Sequence, residues 1–161
     1  MNTIEMAVKM ETDAVAFYTE CAAKTSHPFG KKMFLSIAED EQSHIACALQ
    51  ILGGKEMTPS ATSPKQDYKS IYEKSKDALS QRVAATSDEI EALKIAMKME
   101  KEGAAFYRQA AAETAVPAEK AFFECLARDE EEHYAIFLET FSFLTDTGNW
   151  FMWDEHSIVE G

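Results

Sequence analysis

A chain of 161 residues and 18.0 kDa fits one domain, and an apolar fraction of 46% is enough to fill a core. Twenty-eight acidic residues against sixteen basic ones give a formal charge of −12, which repels phosphate backbones and anionic membrane surfaces and attracts cations. Neither nucleic acid nor membrane is an expected partner: no apolar run approaches the roughly 20 residues of a membrane span, and the N-terminal MNTIEMAVKMETD lacks the basic-then-apolar layout of a signal peptide. The expectation is a cytoplasmic protein.

In chain order, Asn2 with Glu5 three residues on forms a capping box, and the apolar positions of IEMAVKMETDAVAFYTECAA recur at helical spacing without a breaker until Ser26-His27-Pro28. A second helix is predicted from about Pro28 to Leu52, closed by Gly53-Gly54. The turn-rich GGKEMTPSATSP follows, and then KQDYKSIYEKSKDALSQRV sets Tyr68, Ile71, Tyr72, Leu79 and Val83 on one helical stripe. A helix of about 18 residues there covers roughly 27 Å, enough to carry the chain from one end of a bundle to the other. Residues 53–85 are therefore read as a long helical crossover that leaves its flanking helices parallel. Thr86-Ser87-Asp88-Glu89 opens the next helix, Val116-Pro117 breaks it, and a last helix runs from Pro117 to about Leu144. The tail 145–161, with Trp150, Phe151 and Trp153, suits tertiary or dimer packing.

The chain repeats itself. Sliding it by 89 residues sets AVKMETDAVAFYTECAAKT (7 to 25) over AMKMEKEGAAFYRQAAAET (96 to 114), and between positions 7 and 49 nineteen of 43 residues are identical. Two copies of one helical hairpin, about 2–52 and 86–144, make an all-α four-helix bundle.

The matched positions include Glu11 with Glu100, Glu41 with Glu130 and His44 with His133. Measured from the turn near His27 at about 1.5 Å per residue, Glu11 lies roughly 24 Å along one helix, and Glu41 and His44 roughly 21 and 25 Å along the other. The three are level, and the i to i+3 spacing puts Glu41 and His44 on one face. The second hairpin repeats these heights, so docking the two brings four carboxylates and two imidazoles together. Carboxylates crowded in a low-dielectric interior must bind protons or cations. A pair of divalent metals is the natural compensation, and oxygen with imidazole suits iron or manganese. The bland alternative is a set of solvated surface ion pairs, which the recurrence at one offset disfavours.

Around these six, Tyr18 and Tyr107 lie two turns beyond Glu11 and Glu100 and are read as hydrogen-bond donors to ligating carboxylates, as redox-active phenols or as plain core tyrosines. Asp40 and Asp129 could hold a histidine ring on a neighbouring helix. Glu131 and Glu132 are expected to face water. His27 and His156 have no matched partner and no assigned role. The three cysteines, Cys21, Cys47 and Cys125, are odd in number and form no C-x-x-C pair, so they are read as reduced, buried thiols, Cys47 included although it shares a face with His44.

Glu11, Glu41-x-x-His44, Glu100 and Glu130-x-x-His133, with AFY after each first-helix Glu, resemble the ferritin-like domain of the rubrerythrin family over residues 1 to 145. The resemblance implies a non-haem di-iron centre that reduces hydrogen peroxide or oxygen, with Glu41 and Glu130 bridging the metals, Glu11 and Glu100 terminal, and His44 and His133 on one iron each. It also implies frequent dimers, so a homodimer is expected. The sequence departs from the family pattern in two ways. It has no rubredoxin-like C-x-x-C pairs, so electrons are expected from a separate donor protein. Glu100-x-x-Gly103 also lacks the further Glu that the family often carries three residues on, which bears on ligand exchange in its peroxidase cycle and leaves a coordination position open. Three functions stay open: a peroxide- or oxygen-reducing enzyme, a ferroxidase or iron-handling protein, and a bundle whose metals only staple the helices.

Overall fold

The computed structural model describes residues 1–54 and 83–150. Helices α1 (Thr3–Lys24) and α2 (Pro28–Leu52) form one hairpin; α3 (Ser87–Glu113) and α4 (Pro117–Thr147) form the other. Each helix starts where its first-turn N–H groups find an acceptor. Asn2 Oδ1 accepts from the Glu5 amide at 2.8 Å and Glu5 Oε2 accepts from the Asn2 amide at 3.2 Å, and Thr86 with Glu89 forms the same reciprocal box on α3. Before α2 and α4 the chain turns at Pro28 and Pro117, whose missing N–H falls where a helix needs none. His27, to which the sequence assigned nothing, caps α2: it is fully buried and its Nδ1 accepts from the Phe29 amide at 3.1 Å.

Two differences from the sequence reading lie at the end of α4. The helix continues one turn past Leu144 to Thr147, because Gly148 adopts a left-handed φ of 72° and its amide closes on the Leu144 carbonyl at 2.8 Å. Beyond it, β2 (Asn149–Trp150) pairs antiparallel with β1 (Val83–Ala84), in register Val83 to Trp150 and Ala84 to Asn149. Two-residue strands are too short to leave an alternating pattern, so nothing in the sequence announced them. Of the crossover helix predicted over 65–83, residues 65–82 lie outside the described residues, as does the tail beyond Trp150; Val83, expected on that helix's apolar stripe, instead pairs in β1.

The order of ends follows from one contact. Glu89 Oε2, at the start of α3, accepts from the Ser26 amide at 2.7 Å and the Ser26 hydroxyl at 3.0 Å, in the turn of the first hairpin. Helices α2 and α3 therefore begin at the same end and run parallel, the arrangement the sequence leads one to expect. Two apolar clusters fill the ends. One gathers Tyr18, Phe29, Phe34, Ile37, Leu93 and Phe137 near the first turn; the other gathers Ile4, Ala48, Tyr107, Phe122, Phe123 and Leu126 near the second. Cys21 belongs to the first and is buried, but Cys47 and Cys125 are only half-buried, so the expectation of three buried thiols holds for one. Among the described residues no helix is long and apolar enough to cross a membrane.

Glu89 thus caps α3 and clasps the opposite hairpin through one buried carboxylate. Its replacement by Ala is expected to lower the unfolding free energy by roughly 1–3 kcal/mol in urea titrations of the metal-free chain. A loss within error of zero would show that the clasp is dispensable.

Candidate metal centre

Between the two apolar clusters the bundle is polar. Glu11 on α1, Glu41 and His44 on α2, Glu100 on α3, and Glu130 and His133 on α4 all point inward, and none exposes more than 5% of its surface. The structure brings together all six residues singled out in the sequence. His44 Nδ1 lies 3.4 Å from Glu11 Oε2, 3.5 Å from Glu41 Oε2 and 3.7 Å from Glu130 Oε1. His133 Nδ1 lies 2.7 Å from Glu41 Oε1, 3.5 Å from Glu100 Oε2 and 3.8 Å from Glu130 Oε1. Two overlapping sets result, Glu11-Glu41-His44-Glu130 and Glu41-Glu100-Glu130-His133, each with one ligand atom per residue within 4.8 Å of the others. Glu41 and Glu130 belong to both.

The groups around the six are cross-connected between the repeats. The Tyr18 hydroxyl on α1 donates to Glu100 Oε1 on α3 at 2.5 Å, and the Tyr107 hydroxyl on α3 donates to Glu11 Oε1 on α1 at 2.5 Å. Each tyrosine holds the glutamate of the other hairpin, not that of its own helix. Asp129 Oδ2 lies 2.9 Å from His44 Nε2, and Asp40 Oδ2 lies 3.1 Å from His133 Nε2. An aspartate at Nε2 favours a proton there, so a ring that gives up its other proton offers the Nδ1 lone pair on the carboxylate side, the tautomer a metal ligand needs.

Of the surplus acids, Glu131 is exposed and pairs with Arg108, as expected. Glu132 is not. It is half-buried with an enclosed Oε2, because it follows Asp129 by three residues and precedes buried Ile136 by four, which turns it partly inward. His156 lies outside the described residues.

Burial pushes the Glu130 carboxyl well above its usual range, and the neighbouring Glu100 and Glu41 push the same way. Burial acts on Glu41 too, but His133 and His44 outweigh it and hold that carboxyl low. Burial alone would lower both histidines; instead Asp129 and Glu41 raise His44, and Glu100, Glu41 and Asp40 raise His133. Even so the charges are incompletely matched. Both oxygens of Glu41, Glu100 Oε2, Glu130 Oε1 and His133 Nδ1 are enclosed without a hydrogen-bond partner. The 2.7 Å approach of His133 Nδ1 to Glu41 Oε1 is close but lacks hydrogen-bond alignment. Buried acceptors facing one another across an interior are costly unless a cation lies among them.

The Rubrerythrin family model matches residues 2–141. The chain belongs to the rubrerythrin family. No curated protein and no solved structure matches it significantly. A rubrerythrin domain implies a di-iron site, and the residues present fit one: hard oxygen donors with two imidazoles, orphaned lone pairs aimed inward, and two carboxylates common to both sets.

Two outcomes are expected of this rubrerythrin domain. In the metal-free chain a Glu130 carboxyl that stays protonated after folding, but ionises near its ordinary 4.5 when unfolded, loses stability as pH rises from about 4.5 through the raised folded value. Glu130→Gln does not titrate, so its stability relative to wild type should grow between pH 5 and pH 8, by ~1.4 kcal/mol for each unit of elevation. Urea unfolding at the two pH values measures this, and a pH-independent difference would contradict it. Removing the ring partner by Asp40→Ala should weaken metal binding roughly 10- to 100-fold in chelator competition, whereas unchanged affinity would deny Asp40 its orienting role.

Proposed function

We propose that this rubrerythrin-family chain is a non-haem di-iron redox protein that reduces hydrogen peroxide or oxygen with electrons from a separate donor protein. The observation that carries the reading is the sharing of Glu41 and Glu130 by two four-residue sets whose ligand atoms lie within 4.8 Å. In this reading Glu41 and Glu130, common to both sets, would be held by both metals, Glu11 and Glu100 would each bind one, and His44 and His133 would each bind one; manganese or a mixed pair fits the same donors. When bound, an iron pair supplies two electrons at one place, which with two protons converts one peroxide to two waters.

The protein's own residues do the rest. Asp40 and Asp129 keep the imidazole Nδ1 atoms free to bind, Tyr18 and Tyr107 hold Glu100 and Glu11 in place, and the apolar clusters at either end exclude water from the lengthwise approach. The tyrosine hydroxyls are held protonated by burial, with Glu100 adding to the effect at Tyr18 and Glu130 at Tyr107, so they act as donors to carboxylates over the ordinary pH range.

A ferroxidase or iron-handling role draws on one further observation, the charge of −12, which concentrates Fe²⁺ near the chain. Anaerobic iron loading followed by peroxide or air in a stopped-flow absorbance experiment separates the possibilities. The proposal expects two irons per chain, rapid oxidation and sustained turnover with a reductant; iron accumulating well beyond the pair favours storage, and no oxidation leaves a structural metal. Glu41→Ala and Glu130→Ala should each abolish the pair, and retained stoichiometry would refute the ligand assignment.

A further inference from the structure

The duplication that matches the six inward-facing residues also shows where the two halves differ. Each imidazole has an aspartate at Nε2, and the two contacts are of similar length: Asp129 Oδ2 lies 2.9 Å from His44, and Asp40 Oδ2 lies 3.1 Å from His133. What stands behind each aspartate is not alike. Arg128 precedes Asp129, whereas at the offset of 89 residues the residue preceding Asp40 is Glu39. Cys125, one turn earlier, is matched by Ser36.

Arg128 is turned back onto its neighbour. Its Nε lies 3.8 Å from Asp129 Oδ1, and its Nη2 donates to Cys125 Sγ at 3.4 Å. The Cys125 thiol in turn faces Asp129 Oδ2 at 4.0 Å, the same oxygen that meets the His44 ring. Asp129 therefore divides its negative charge among an imidazole, a guanidinium and a thiol. Asp40 instead has a second carboxylate beside it in the chain, the exposed Glu39, so the two settings differ by two units of charge.

Two effects follow, and both act in one direction. A partly neutralised carboxylate is a weaker acceptor for a ring N–H, which leaves the opposite ring nitrogen a poorer donor to a cation. The guanidinium also repels any cation bound through that ring. Because the Arg128 side chain is 66% exposed, solvent and salt screen it and the difference is a few-fold one.

We infer that Arg128, acting through Asp129, makes the metal position at His44 the weaker of the two, so that the position at His133 fills first. This rests on the metal pair proposed above and adds an order to it. Arg128 is a positioning residue: its printed partners are Asp129 and Cys125, neither of them one of the six.

Zinc, a redox-inert divalent ion, tests this on the whole chain isotope-labelled at its histidines, with NMR following each ring through a titration in low salt. In the wild type the His133 signals should move before those of His44, with affinities at least roughly threefold apart. Arg128→Glu, which copies the residue of the other repeat, should strengthen the His44 step at least roughly threefold and leave the His133 step in place. High salt should narrow the wild-type gap. Lys120→Ala removes an exposed charge roughly 12 Å away along the same helix and should change neither step. Rings that respond together, or His44 before His133, overturn the inference. An Arg128→Glu chain whose His44 step is unchanged, or whose two steps move alike, overturns it as well. Zinc that moves neither ring denies the histidines as ligands; that failure belongs to the ligand assignment, and the order of filling falls with it.

Discussion

Six ionisable side chains are enclosed in the middle of this bundle, and the need to neutralise them constrains everything else. Four carboxylates and two imidazoles cannot share a dry interior at will: any arrangement that leaves their charges unmatched costs more than a domain's net stability allows. The molecule meets this in two ways. It flanks the polar layer with an apolar cluster at each end, in which Phe29, Phe34 and Phe137 on one side and Phe122, Phe123 and Leu126 on the other bury large side chains. It also gives the charged groups partners that lie on the opposite hairpin.

That second device ties function to fold. Tyr18 to Glu100, Tyr107 to Glu11, Asp40 to His133 and Asp129 to His44 are all bonds between repeats. A hairpin folded alone would leave each of these groups half-satisfied, so the repeats need one another for polar completeness as well as for apolar packing. The layer therefore specifies how the hairpins dock. A slip or rotation of one hairpin against the other would break all four of these crossed bonds at once.

Much of this was legible in advance because a duplicated sequence carries its own control. One Glu-x-x-His is weak, but Glu41-x-x-His44 and Glu130-x-x-His133 at a fixed offset, each level with a glutamate on its partner helix, leave few geometries open. The ring contacts of Asp40 and Asp129 followed as possibilities from the same heights. The crossing of the tyrosines did not, because spacing along one helix says which face a side chain shares but not which neighbour it meets across the bundle. Glu132 was misplaced for a related reason: an acid run reads as solvated until the angular position of each member is tied to buried neighbours such as Ile136. His27 escaped because capping by an imidazole depends on one local turn, and β1 with β2 because two residues carry no period.

The duplicated sequence does not produce duplicated electrostatics. Glu41 and Glu130 are equivalent by the repeat and both lie between the histidines, yet in the metal-free interior one carboxyl is held low and the other is driven high. The cause is proximity: two carboxylates in one enclosure cannot both ionise, so the one better served by His133 and His44 keeps its charge and the other takes a proton. Cations between them remove that conflict, since each carboxylate then faces positive charge and neither needs the proton. Metal binding must therefore release a proton from this layer and weaken as acid restores it.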